Sequence, residues 1–360
     1  MTAQRKTVAF RAKYYAIMLL MLIFLIFSIG VGVSLGQVDI PLGESFRILL
    51  YKLFNYTGGA DFAQLQSEAN MNIIWNIRFP RVLMALIVGV GLALCGVIMQ
   101  ATVQNPLADP YILGVSSGAT LGATFAILVG FGSGTIFAQF GLAFGAFVGA
   151  LMATFFVLFF ASLGGKMTSV KLVLMGMVIN ALCNAFSNFI IYLANNAEGI
   201  RTVTFWTMGS LASARWGELP LLGCIVLVGV LFFVIQSRNL NTMLLGDEAA
   251  VTLGTSLSKF RKIYMLITAI LTGIIVANCG MIGFVGLIIP HLVRGLLGSD
   301  HKYLIPTTVL FGANFLVWAD ILSRTVLPSS ELPIGVVTAM IGAPMFMYML
   351  IKKGYAFGGN

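Results

Sequence analysis

Apolar residues run in long blocks along this chain, and the polar breaks between them are short. A helix that crosses a bilayer needs about 17–25 mostly apolar residues, because each residue advances only about 1.5 Å. Blocks that approach or reach that length lie at 14–35, 81–101, 112–131, 137–160, 171–193, 219–236, 263–277, 282–297, 304–322 and 334–351. The pattern predicts an all-α polytopic membrane protein with about ten transmembrane helices. It is read as a single domain over 1–360, with a membrane core from 14 to 351. The seventh and eighth blocks are short and are parted by Cys279, Gly280 and Met281. Two polar stretches do not fit a span. Residues 36–80 are expected to form an outer loop. Residues 195–218 carry Phe205, Trp206 and Trp216, which predicts a re-entrant or interfacial helix, since aromatics sit well at the lipid boundary.

Composition agrees with the pattern. Only 9% of the 360 residues are charged and 59% are hydrophobic, against roughly 25% charged in an average soluble chain. Too few polar groups remain to cover a water-soluble surface of this size. The net charge of +9 is explained by orientation. With the N-terminus inside, two-thirds of the 21 Lys and Arg fall in inner segments, which places both termini in the cytoplasm. No basic stripe interleaves with aromatics, so nucleic acid is not an expected partner. The basic N-terminus and first block superficially resemble a signal peptide. The block exceeds the usual apolar core of about 7–15 residues and lacks a clear small-x-small cleavage site, so a retained first helix is expected.

Small residues recur at helical spacing: Gly114, Gly118 and Gly122 in the third block, and Gly141, Gly145 and Gly149 in the fourth. Such rows let backbones approach closely. Cys95, Cys183, Cys224 and Cys279 share no CxxC spacing and read as small apolar residues.

Little in the chain points to catalysis. A phosphate-cradling loop needs GxxxxGK[ST], and the nearest stretch, Gly164-Gly165-Lys166-Met167-Thr168, has the wrong spacing. Any ATP that drives this protein is therefore expected to be hydrolysed on another chain, with no cofactor bound here. His291 and His301 lack a carboxylate cluster, so no metal site is expected. Asp109 and Asp320 sit near helix boundaries rather than at a midplane relay, which weighs against a proton- or sodium-coupled secondary transporter. The fifth block holds Asn180, Asn184 and Asn188 at i, i+4 and i+8, with Ser187 beside them. Amides on one helical face are costly against lipid and must meet protein or water. The spacing leaves two roles open: helix–helix hydrogen bonding or the lining of a polar path.

Four segments carry a specific resemblance. They are Asn105-Pro106-Leu107-Ala108-Asp109-Pro110-Tyr111-Ile112-Leu113-Gly114, Gly280-Met281-Ile282-Gly283-Phe284-Val285-Gly286-Leu287-Ile288-Ile289-Pro290-His291, Ala319-Asp320-Ile321-Leu322-Ser323-Arg324 and Glu331-Leu332-Pro333-Ile334-Gly335. In this order they resemble the FecCD family of type II ABC importer permeases, over residues 14 to 353. The resemblance implies inverted repeats in spans 2–5 and 7–10. It also implies a dimer of permease subunits with the path at its interface, two ATPase subunits below and an extracytoplasmic binding protein above. The implied setting is the bacterial cytoplasmic membrane, and the implied cargo is a ferric siderophore, haem or cobalamin. It places span 5 beside the path, which favours Asn180, Asn184, Asn188 and Ser187 as path-lining residues. It assigns binding-protein docking to outward-facing Arg78 and Arg324. Coupling to the ATPase falls to Gly246, Asp247, Glu248, Ala249, Leu253 and Gly254 within a cytoplasmic loop at 237–262.

Overall fold

The computed structural model describes residues 3–55, 68–130, 141–163, 167–246, 257–328 and 330–352, and among them every regular element is helical. In chain order the helices are α1 (Ala3–Ser34), α2 (Leu42–Phe54), α3 (Glu68–Asn72), α4 (Phe79–Val103), α5 (Val115–Leu128), α6 (Gly141–Ser162), α7 (Ser169–Leu193), α8 (Ala197–Thr207), α9 (Leu219–Ile235), α10 (Ser237–Leu244), α11 (Leu257–Cys279), α12 (Val285–Leu297), α13 (His301–Thr325) and α14 (Ile334–Lys352). Six helical stretches are long and apolar enough to cross a membrane alone: Val8–Ser34, Glu68–Val103, Gly141–Ser162, Ser169–Leu193, Ser258–Cys279 and His301–Thr325. α9 joins them if it is counted with α10, from which it is bent by 61°. α5, α12 and α14 are apolar but shorter.

Each apolar block falls on a helix, but several boundaries move. The seventh span is a full 23 residues rather than a short one. The third is shorter than its apolar block, because the chain turns at Gly114 (φ +75°) and α5 starts only at Val115. The stretch 36–80 is not simply a loop: it holds α2, and Glu68–Val103 is one continuous helical run. That run widens into a π-turn over Ile73–Arg78, where the Phe79 N–H reaches the Ile74 carbonyl. Pro80 explains the wide turn. It has no N–H, and its ring would strike the carbonyl four residues back, so one extra residue in the ladder lets the helix continue. The segment at 195–218 does contain a helix, α8, and Trp216 packs on Trp75 and Phe79 with its Nε1 donating to the Trp75 carbonyl at 2.7 Å.

α4 is the hub and is buried along most of its length, whereas α7 is peripheral and mostly open. α4 packs on α13, α11 and α12, while α11 packs on α6. Bare glycine backbone makes these approaches possible. A Cβ at Gly89 would collide with the Gly312 carbonyl, and one at Gly96 with the Gly286 carbonyl. The two glycine rows partly face each other, Gly118 against Gly149 and Gly122 against Gly145, but Gly141 has nothing within 4 Å. α1 is clipped to α13 by polar contacts: Ser28 Oγ accepts from Trp318 Nε1 at 2.9 Å, and Asn314 Nδ2 donates to the Met21 carbonyl at 3.2 Å.

Candidate translocation face and its two ends

α7 begins with Thr168 as its cap, the hydroxyl oxygen accepting from the Lys171 N–H at 3.3 Å. Leu172, Gly176, Ile179, Cys183 and Ser187 then recur at three- and four-residue steps and are buried, so this face packs on the rest of the chain. Gly176 sits against the Ile112 carbonyl, just before the turn into α5. The three amides lie on the next strip. Asn180 is half-buried, and Asn184 and Asn188 are exposed. Each step of four residues advances about 40° around the helix, so the strip winds from the packed margin to the open side. None of the three amide side chains has a hydrogen-bond partner among the described residues. Ser187 separates from them: it is buried and its hydroxyl is unpaired.

On the packed side of α7 the chain breaks at 105–114, and a second break lies against it. The link between α11 and α12 has φ +67° at Gly280 and φ +70° at Phe284. Segment 105–114 leads into α5 through a short turn of 3-10 helix over Pro110–Leu113, capped by the Asp109 carboxylate. The two breaks meet: the Tyr111 hydroxyl donates to the Ile282 carbonyl at 3.0 Å. The end of α8 joins the same place. Ser210 N–H donates to the Cys279 carbonyl, Gly335 N–H to the Met208 carbonyl and Ile334 N–H to the Gly209 carbonyl, at 2.8, 3.1 and 3.1 Å. A cavity of about 320 Å³ opens there between α8, the α11–α12 link and α14, lined by Met208, Met281, Val336 and Met340.

One end of the molecule carries a buried charge cluster. Arg81 Nε lies 2.7 Å from Asp320 Oδ1, and its NH1 lies 2.8 Å from Glu331 Oε2. Arg324 Nε is 3.1 Å from Asp320 Oδ2, an ion pair without the alignment of a hydrogen bond. Arg324 also donates to the Gly32 and Leu35 carbonyls at 2.6 and 3.0 Å. Arg78 donates to the Val33 carbonyl at 3.3 Å and to those of Ser34 and Val38. Both residues are buried, which corrects the expectation of outward-facing guanidinium groups: carbonyls at the end of α1 and just beyond it accept from both, and Asp320 also pairs with Arg324. Arg81 and Glu331, which complete the cluster, were given no role by the sequence pattern, although Glu331 opens one of the four recognisable segments. Their partners lie more than 200 positions away, so no local signal reveals them.

At the other end, α10 leads toward the expected coupling segment. Gly246 is half-buried with φ +94°, while Asp247, Glu248, Ala249, Leu253 and Gly254 lie outside the described residues.

Comparison with known proteins adds to this geometry. The FecCD transport family model matches residues 20–352. The chain belongs to the FecCD transport family. Within reach are the hemin transport system permease of Yersinia pestis, 37% identical over 288 residues (80% of this chain, 85% of that one), and the vitamin B12 import system permease of Klebsiella pneumoniae, 41% identical over 281 residues (78% and 82%). The Fe(3+)-citrate import system permease of Bacillus subtilis is 36% identical over 333 residues, covering 92% of this chain and 93% of its own. Among solved structures, an ABC transporter described as metal-chelate type, in an inward-facing conformation, matches with a TM-score of 0.75 and 30% identity, covering 94% of this chain and 100% of its own. This FecCD chain is thus a permease, and its described residues present an exposed pair of amides on α7 and a packed joint between two broken helical segments.

Proposed function

We propose that this chain is the transmembrane subunit of an ATP-binding-cassette importer that carries an iron chelate or cobalamin into a bacterial cell. A second permease subunit, identical or closely related, sits against the open side of α7. An extracytoplasmic binding protein delivers the cargo, and two ATPase subunits act on the cytoplasmic loop at 237–262. All ten apolar helices then cross or enter the cytoplasmic membrane, with both termini inside. The pairing of α4 with α13 and of α11 with α6 supports reading spans 2–5 and 7–10 as inverted repeats.

One observation carries the reading: Asn184 and Asn188 are exposed on a peripheral helix that is otherwise apolar on its open side. Lipid cannot satisfy an amide. A water-filled path between two subunits can, and a few amides bind a bulky solute weakly enough to release it. The two broken segments that meet at Tyr111 and Ile282 support a transport reading, because irregular backbone at membrane depth is tolerated where it lines a cavity or is covered by protein. Hemin, Fe(3+)-citrate and vitamin B12 appear in the relatives' names, which supports a bulky chelate or corrinoid as the cargo. The proton- or sodium-coupled alternative gains no support from Asp320, which is buried between Arg81 and Arg324 rather than open to a path.

Reconstitution tests the proposal. The permease, its partner ATPase and its binding protein are placed in vesicles and offered haem, ferric citrate or cobalamin. Uptake of one of these that needs ATP and the binding protein, and that survives a protonophore, is the expected result. Uptake driven by a proton gradient without ATP would overturn it.

A further inference from the structure

α10 is short and amphipathic, and it turns away from α9 by 61° at Gln236. Gln236 itself is held: its side-chain oxygen accepts from the Tyr264 hydroxyl of α11 at 3.0 Å. Leu240 and Met243 are buried on the inner side of α10. Between them Asn241 reaches the first turn of α13. Its Oδ1 accepts from the His301 backbone N–H at 2.9 Å and lies 2.7 Å from His301 Nδ1, while its Nδ2 donates to Asp300 Oδ1 at 2.8 Å. The contacts fix both the amide and the imidazole. The amide oxygen faces the backbone donor and its nitrogen faces a carboxylate, so only one orientation satisfies the site, and Nδ1 of His301 carries the proton. A second tether lies two residues on. Gln104, in a left-handed conformation at the end of α4 (φ +53°), donates from Nε2 to the Met243 carbonyl at 2.5 Å. The two helices so reached, α4 and α13, pack together through the bare backbones of Gly89 and Gly312.

We propose that Asn241 and Gln104 are positioning residues that tie α10 to the α4–α13 pair, so that ATPase movement delivered to α10 displaces these two helices as one body. The inference rests on the importer reading and deepens it. Neither side chain touches cargo or nucleotide. Their role is mechanical: a helix bound to α9 alone would swing at its 61° bend, whereas one bonded to α4 and α13 hands its displacement to the centre of the molecule. α4 is the most deeply buried of the long helices, so a shift of this pair reaches α11 and α12, which pack on it.

The test uses the complete complex in vesicles, reading cargo moved per ATP hydrolysed. The wild-type complex is measured first: absence of ATP-dependent uptake there defeats the importer reading itself. With a coupled wild type, Asn241→Ala is expected to keep ATP hydrolysis within about twofold while cargo per ATP falls about tenfold, the scale of substitutions along a coupling path. A merely structural role would lower both rates together and leave the ratio unchanged, and an unchanged ratio overturns the inference. Gln104→Leu removes the second tether and is read by the same ratio. It decides the matter if Asn241→Ala fails to assemble.

Discussion

Arg78, Arg81 and Arg324 carry one more charge than Asp320 and Glu331 can neutralise, yet all three are buried. The difference is met by the carbonyl end of α1, where the helix dipole is negative and the last carbonyls lack partners. The cluster thus joins α1, α4, α13 and the segment before α14 at one point. Its members are not equivalent. Asp320 has a side chain with 0% exposure and serves two arginines, whereas Glu331 is 36% exposed and serves one. Asp320→Asn therefore leaves two buried guanidinium groups undercompensated, and removing one partner of a buried pair costs about 3–5 kcal/mol. Glu331→Gln is expected to cost less than about 1 kcal/mol, because solvent screens it. Thermal unfolding of the purified permease in detergent should rank them in that order, and equal losses would show that the cluster is not organised around Asp320. Arg78 and Arg324 were conspicuous in the sequence, and Asp320 stands one turn before Arg324. What the sequence could not reveal was that Arg78 and Arg324 donate to backbone carbonyls of a helix that ends some 45 to 290 positions earlier.

Helices set the next scale, and here glycine decides how closely they pack. At Gly96 an added methyl group would meet the backbone of Gly286, which cannot move aside as a flexible side chain can. Gly96→Ala should force α4 and α12 apart, and overpacking of this kind costs about 1–3 kcal/mol. Gly141→Ala has open space and should be neutral. Unfolding temperatures of the two variants check this, and a neutral Gly96→Ala would mean the contact is looser than described. The glycine rows in the third and fourth blocks were readable as packing surfaces, and Gly118–Gly149 and Gly122–Gly145 do face each other. Helix ends were less readable. Apolar composition continues through Gly114, where the backbone turns, and the π-turn before Pro80 has no hydropathy signal at all. Both features depend on backbone geometry rather than on which residues prefer lipid.

Over the whole molecule, the family is carried by segments whose work is long-range. Segments 105–114 and 280–284 are recognisable in one dimension, but only the folded chain shows that the Tyr111 hydroxyl bonds the backbone of Ile282. The amide strip was legible from its spacing. Its two open roles could not be separated without knowing which side of α7 the rest of the chain covers. The structure covers the side of Ile179, Cys183 and Ser187 and leaves Asn184 and Asn188 open. The central claim is that these amides face a water-filled path between two permease subunits. Thiol accessibility tests it most directly. Cys95, Cys183, Cys224 and Cys279 are first replaced, since Cys224 is exposed on α9. Single cysteines are then placed at 184, 188, 182 and 187 in the assembled complex and exposed to a membrane-impermeant thiol reagent, with and without ATP. Asn184→Cys and Asn188→Cys should react in at least one state, while Leu182→Cys, on the apolar open side, and Ser187→Cys, on the packed side, stay protected. Protection of both 184 and 188 in every state would contradict the account.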